Sequence, residues 1–138
     1  MARETVAEFD GRQVIIMDSI THVEEGDVGQ IVVSASHGGV SSGGFACEYP
    51  LGVVFFNDAG VGKENAGIAA LEMLEERSVA AGTVSNESAK IGDARDHWEN
   101  GIISHLNETA KAAGLREGEP LREAISSIYD TGSARTAG

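Results

Sequence analysis

The chain has 138 residues, about one domain's worth, since domains mostly fall near ~100–150 residues. Ten basic and 22 acidic side chains give a net charge of −12, which excludes a protein that coats nucleic acid or an anionic membrane, because both need a basic patch. Cys47 is the single cysteine, so an intramolecular disulfide and a cysteine-based zinc site are both excluded, and Cys47 reads as a small buried hydrophobe in a reduced, cytoplasmic setting.

The first residues carry two glutamates and no long apolar run, which does not fit a signal peptide, and no stretch approaches the ~18 apolar residues of a membrane span. Residues 1–130 read as one α/β domain, and residues 131–138, small and polar, as a disordered tail. In chain order, Thr5–Phe9 and Arg12–Met17 flank Asp10-Gly11, a favoured hairpin turn because both positions tolerate positive φ. Val14 to Met17 is a buried strand, and Ser19 caps a short helical turn that Gly26 and Gly29 break. Gln30–Ser36 is a second buried strand. It runs into the glycine-serine segment 37–44, with a short helix expected over Phe45–Tyr49. Gly52–Phe56 is a third strand. A helix is expected from near Lys63 to near Arg77 on the spacing of Ile68, Leu71 and Leu74. Val79–Val84 is a fourth strand, and Asp93–Trp98 a loop or short helix stopped by Gly101. Ile103, Leu106, Ala110 and Ala113 suggest an amphipathic helix ended by Gly114. Pro120 opens a last helix through Leu121, Ala124, Ile125 and Ile128.

Continuous apolar strands imply burial on both faces. The expected class is therefore α/β: a single-domain layered sandwich with a mostly parallel sheet, a mixed sheet being the alternative, an N-terminal β-hairpin and C-terminal helices. In open α/β sheets ligands bind outside the carboxyl ends of the strands. Those ends carry Asp18-Ser19, then Ser36-His37-Gly38-Gly39, then Asn57-Asp58, then Ser85 to Ser88. If the four strands are parallel neighbours, these groups converge on one rim.

His37 leaves a buried strand into two glycines and can serve as general acid or base. Gly39-Val40-Ser41-Ser42-Gly43 matches G-x-S-x-G in letters, but the nucleophile elbow wants its serine directly off a strand, so a helix-capping loop that binds an anion is the better reading. Residues 57–67 join a strand to a helix through Gly60, Gly62 and Gly67. Gly62-Lys63 lacks the first glycine and the hydroxyl of a Walker A loop, and Asn65 stands where a dinucleotide fingerprint needs its third glycine. What remains is an anion cradle beside Lys63. Arg95 or His97 could fold over the rim as a lid, and a surface helix with Asp93 and His97 paired four residues apart is the plainer alternative. Asp18, His37 and Asp58 could share a divalent metal, a minority reading, and no cofactor is implied.

These features suggest a small enzyme acting on a small anionic or carbonyl-containing metabolite by hydrolytic or acid–base chemistry. The catalytic candidates are His37, Asp58, Ser36 and Ser41. Negative charge would be held by Gly38, Gly39, Asn57, Gly60, Gly62, Lys63 and Ser88. The alternatives are a non-catalytic anion- or nucleotide-binding module and a subunit of a homo-oligomer packed through alanine-rich helices.

Overall fold

A computed structural model describes residues 3–129 of the chain. The expected tail at 131–138 lies outside the described residues. The elements are β1 (Arg3–Phe9), β2 (Arg12–Met17), β3 (Ile31–His37), α1 (Val40–Ala46), β4 (Val53–Asn57), α2 (Ala69–Glu75), β5 (Ala80–Val84), α3 (Ala94–Asn100), β6 (Ile103–Leu106), α4 (Glu108–Ala112) and α5 (Leu121–Tyr129), with short 3-10 turns at Ile20–His22, Glu25–Asp27 and Lys63–Ile68.

The strands form one six-stranded sheet in the order β1-β2-β3-β4-β5-β6. β2 to β5 run parallel to one another, whereas β1 and β6 close the two edges antiparallel. The sheet is therefore mixed, not mostly parallel as the apolar strands suggested. The hairpin is the expected one, with φ of 51° at Asp10 and 83° at Gly11, the two left-handed positions a tight turn of this hand requires.

Successive strand residues face opposite sides. Ile15, Met17, Val32, Val54 and Phe56 join one apolar cluster with Ile20, Ala46, Leu71 and Leu74. Val14, Ile16, Ile31, Val33, Val53 and Phe55 join the other with Trp98, Leu121 and Ile125. Each side of the parallel strands is thus covered by other parts of the chain, which is why their sequences run apolar without alternation.

Three elements differ from expectation. The helix placed at Phe45–Tyr49 begins at Val40 and ends at Ala46. Within it, a Cβ at Gly43 would lie 2.6 Å from Met73 Sδ and 3.1 Å from Ala70 Cβ, so the glycine is where α1 and α2 touch. The helix expected from Lys63 begins only at Ala69, because Glu64 (φ 56°) and Asn65 (φ 60°) are left-handed. Ile103 to Leu106, expected in a helix, form edge strand β6. Their apolar ends fitted both periods, and pairing with β5 decided the outcome. The helix proper starts after Asn107, whose side chain accepts from the Ala110 N–H as N-cap.

Candidate functional site

The four parallel strands place their carboxyl ends side by side, as convergence on one rim required. Asn57 pairs with His37 on one side and Val84 on the other. The groups on this rim do not all do what their types suggest.

His37 is exposed, and its Nδ1 accepts the Gly39 N–H at 3.1 Å. That bond leaves the proton of the neutral ring on Nε2. His37 lines a cleft of about 440 Å³ together with Gly39, Val40, Ala59, Val61, Gly62, Ala66 and Gly67. The amides expected to cradle an anion are engaged internally. Gly38 N–H donates to Asn57 O (3.0 Å), Gly39 N–H to His37, Gly60 N–H to Asp58 Oδ1 (2.8 Å) and Gly62 N–H to Gly60 O (2.8 Å). Lys63 is exposed and forms no ion pair among the described residues.

The serines act as braces. Ser36 Oγ accepts the Ile20 N–H at 3.0 Å, and Ser88 Oγ donates to Ser85 O and accepts the Ile102 N–H, both at 2.9 Å. Ser41 is exposed within α1 and has none of the left-handed backbone found elsewhere on the rim, so the strained strand-to-helix elbow is absent at this position. Asp18 Oδ1 accepts the Ala94 N–H at 3.1 Å and so ties the start of α3 to the end of β2. Among the described residues, no group of three or more His, Cys, Asp or Glu side chains is placed to hold a metal ion.

His97 is fully buried, not on a surface helix face. Its Nδ1 donates to the Asp93 backbone carbonyl at 2.8 Å, not to the carboxylate, which caps α3 by accepting the Asp96 N–H. Its Nε2 therefore accepts from Asn57 Nδ2 at 3.2 Å. Burial pushes the His97 pKa down from 6.5, outweighing its bond to Asp93 and the nearby Asp96 and Asp93 charges. Asn57, also fully buried, donates to Ala89 O (2.9 Å) and accepts the Ala59 N–H (2.8 Å), so it pins α3 and the 57–67 loop to the end of β4. Arg95 pairs with Glu4 of β1 and with Glu99.

Asp58 is the member of the expected set with a chemical partner, and that partner is not His37. Its Oδ1 accepts from Gly60 N–H and from Asn86 N–H (3.1 Å), which joins the loops after β4 and β5. Its Oδ2 lies 3.9 Å from His105 Nδ1. Two hydroxyls crowd the same nitrogen, Ser104 Oγ at 3.2 Å and Thr83 Oγ1 at 3.4 Å. A β-bulge causes this. Ile103 pairs with Val84 and His105 with Thr83, so Ser104 is the extra residue and lies beside His105 against Thr83. Three oxygens thus face Nδ1, and a proton placed there would leave the Nε2 lone pair free to act as a base.

His105 lines a groove of about 420 Å³ whose wall includes Glu64, Glu72, Glu75, Glu108 and Glu117 and neither lysine nor arginine. Sequence reading missed Thr83, Ser104 and His105 because residues 103–106 were assigned to a helix, where Ser104 and His105 would not share a face. The signal present was a histidine beside a serine in a short apolar segment.

A scan against protein-family models, a search of curated proteins and a search of solved structures each returned no match. Among the described residues, no helix is long and apolar enough to cross a membrane.

Proposed function

We propose that the protein is a small enzyme performing hydrolytic or acid–base chemistry on a small carbonyl-containing metabolite, on an α/β layered sandwich, with Asp58 and His105 as its working pair. The observation that carries this reading is the convergence of the Asp58 carboxylate and two hydroxyls on one nitrogen of a half-exposed histidine at the edge of a groove. A carboxylate near Nδ1–H orients the ring and stabilises the imidazolium that forms when Nε2 accepts a proton. The 3.9 Å separation is long for a hydrogen bond, and such contacts commonly tighten when substrate binds.

In hydrolysis, a water would attack the carbonyl carbon while His105 Nε2 takes its proton. The same proton then passes to the leaving oxygen as the acyl–oxygen bond breaks, giving a carboxylic acid and an alcohol. Five glutamates along the groove favour an uncharged substrate over an anion. The engagement of the Gly38, Gly39, Gly60 and Gly62 amides weighs the same way.

The test is turnover of a panel of small neutral esters and lactones, beginning with 4-nitrophenyl acetate. His105→Gln is expected to lower kcat about 100-fold, at the modest end of acid–base contributions. Asp58→Asn, which can still accept the loop amides, should lower kcat with little change in KM. Unchanged turnover in His105→Gln refutes the assignment.

A further inference from the structure

A third cleft, of about 620 Å³, is lined by β1, α3 and α5 and shares no residue with those at His37 and His105. Its size falls within the ~300–1,000 Å³ of small-molecule sites. One wall is apolar: Val6, Ala7 and Phe9 of β1, with Trp98 of α3. A β-bulge builds this wall. Thr5 pairs with Ile15 and Ala7 with Val14, so Val6 is an extra residue on β1. Two consecutive side chains therefore line one cleft, where a regular strand would turn one of them away. All three β1 residues are left half-buried at the margin of the core cluster that holds Trp98.

The other wall is polar and belongs to α5: Arg122, Glu123, Ser126 and Ser127. Residues four apart are neighbours on a helix, so Arg122 has Ser126 beside it and Glu123 has Ser127. Among the described residues, none of these four side chains has a hydrogen bond or ion pair. Arg122 and Glu123 do not satisfy each other, because adjacent helix residues do not face one another.

We infer that this cleft binds a free amino acid with an aromatic side chain. The Arg122 guanidinium and the Ser126 hydroxyl take the α-carboxylate, the Glu123 carboxylate and the Ser127 hydroxyl take the α-ammonium, and the ring lies on the wall of Phe9 and Trp98. Charge complementarity selects this class. A simple carboxylate would meet Glu123 and a simple amine would meet Arg122, whereas a zwitterion answers both. A guanidinium holds a carboxylate through two parallel hydrogen bonds, and aromatic rings pair favourably beyond the area they bury. The site is separate from Asp58 and His105, so it stands or falls independently of the proposed function.

The test is an amide NMR titration of the full chain with L-phenylalanine. Shifts should saturate with a single affinity and centre on residues 6–9, residues 122–127 and the indole N–H of Trp98, the only tryptophan. Phenethylamine, which lacks the carboxylate, and 3-phenylpropionate, which lacks the amine, should each bind about 10-fold more weakly, the loss of one charge-assisted hydrogen bond. Arg122→Gln should remove the preference over phenethylamine and keep that over 3-phenylpropionate; Glu123→Gln should do the reverse. Both side chains are exposed, so both variants keep the fold. No saturable shift up to about 10 mM, shifts centred elsewhere, equal affinity for the three compounds, or preferences unaltered by the substitutions overturns the proposal.

Discussion

Replacing Asn57 by alanine removes the side chain that binds three parts of the rim together. Its amide donates to Ala89 O and His97 Nε2, and its carbonyl oxygen accepts the Ala59 N–H. Ala89 and His97 are buried, so both acceptors would be left without water; each such orphan costs about 1–3 kcal/mol. Ala59 is exposed and its amide can turn to solvent, adding about 0.5 kcal/mol. The expected loss is about 3–5 kcal/mol, a large share of the ~5–15 kcal/mol that domains usually have. Urea denaturation followed by Trp98 fluorescence reads it directly, since Trp98 sits on α3 one residue from His97. Asn57→Asp is the companion variant. It keeps size and the bond to Ala59 but sets a carboxylate against the His97 lone pair, so its stability should rise relative to wild type as the ring takes up a proton. A loss under about 1 kcal/mol in Asn57→Ala, or parallel pH curves for Asn57→Asp and wild type, would show that the hub does not hold the rim as argued.

The wild-type pH dependence follows from the buried His97. Its folded pKa lies below 6.5, so above that pH the ring is neutral in both states and its contribution is complete; as pH falls, the unfolded chain binds the proton first and stability is lost down to the folded pKa. Urea midpoints should therefore drop between pH 7.5 and 5.5, and a His97→Gln variant should lack this component. Gly67→Ala should destabilise by about 3 kcal/mol in the same assay, because its Cβ would overlap the Asp58 carbonyl oxygen, and neither backbone can move without opening the loop.

The elements most legible in the sequence were those whose local chemistry agreed with their surroundings. Asp10-Gly11 fixed a hairpin and Pro120 preceded α5, each by a short-range signal. The apolar strands read correctly but carried no direction, so the antiparallel edge at β6, unlike the hairpin edge at β1, was invisible until pairing was known. Residues 103–106 show the limit most clearly. Ile103 and Leu106 are spaced three apart, which suits a helix face, and with a bulge their side chains also suit one strand. That misassignment hid the candidate site, since a one-residue irregularity against Thr83 is what sets Ser104 beside His105. Asp58 was visible as a rim carboxylate, but its partner was not, because the two are 47 positions apart in sequence and meet through β5. The glycine loops were legible as special backbone, but glycine reports only conformational freedom, and here it lets the chain turn back on its own carbonyls.

The simple strand order has a consequence for how the chain must be made. Each strand pairs with the one just before it, so a sheet can grow strand by strand as the chain emerges from the ribosome. One of its faces cannot be finished that way. Val14, Ile16, Ile31, Val33, Val53 and Phe55 are covered by Trp98, Leu121 and Ile125, which come last. Until then a growing apolar surface faces water, and such surfaces on incomplete chains are where aggregation begins. Synthesis of this acidic chain therefore passes through a stage in which its strong negative charge is the main thing keeping neighbouring copies apart.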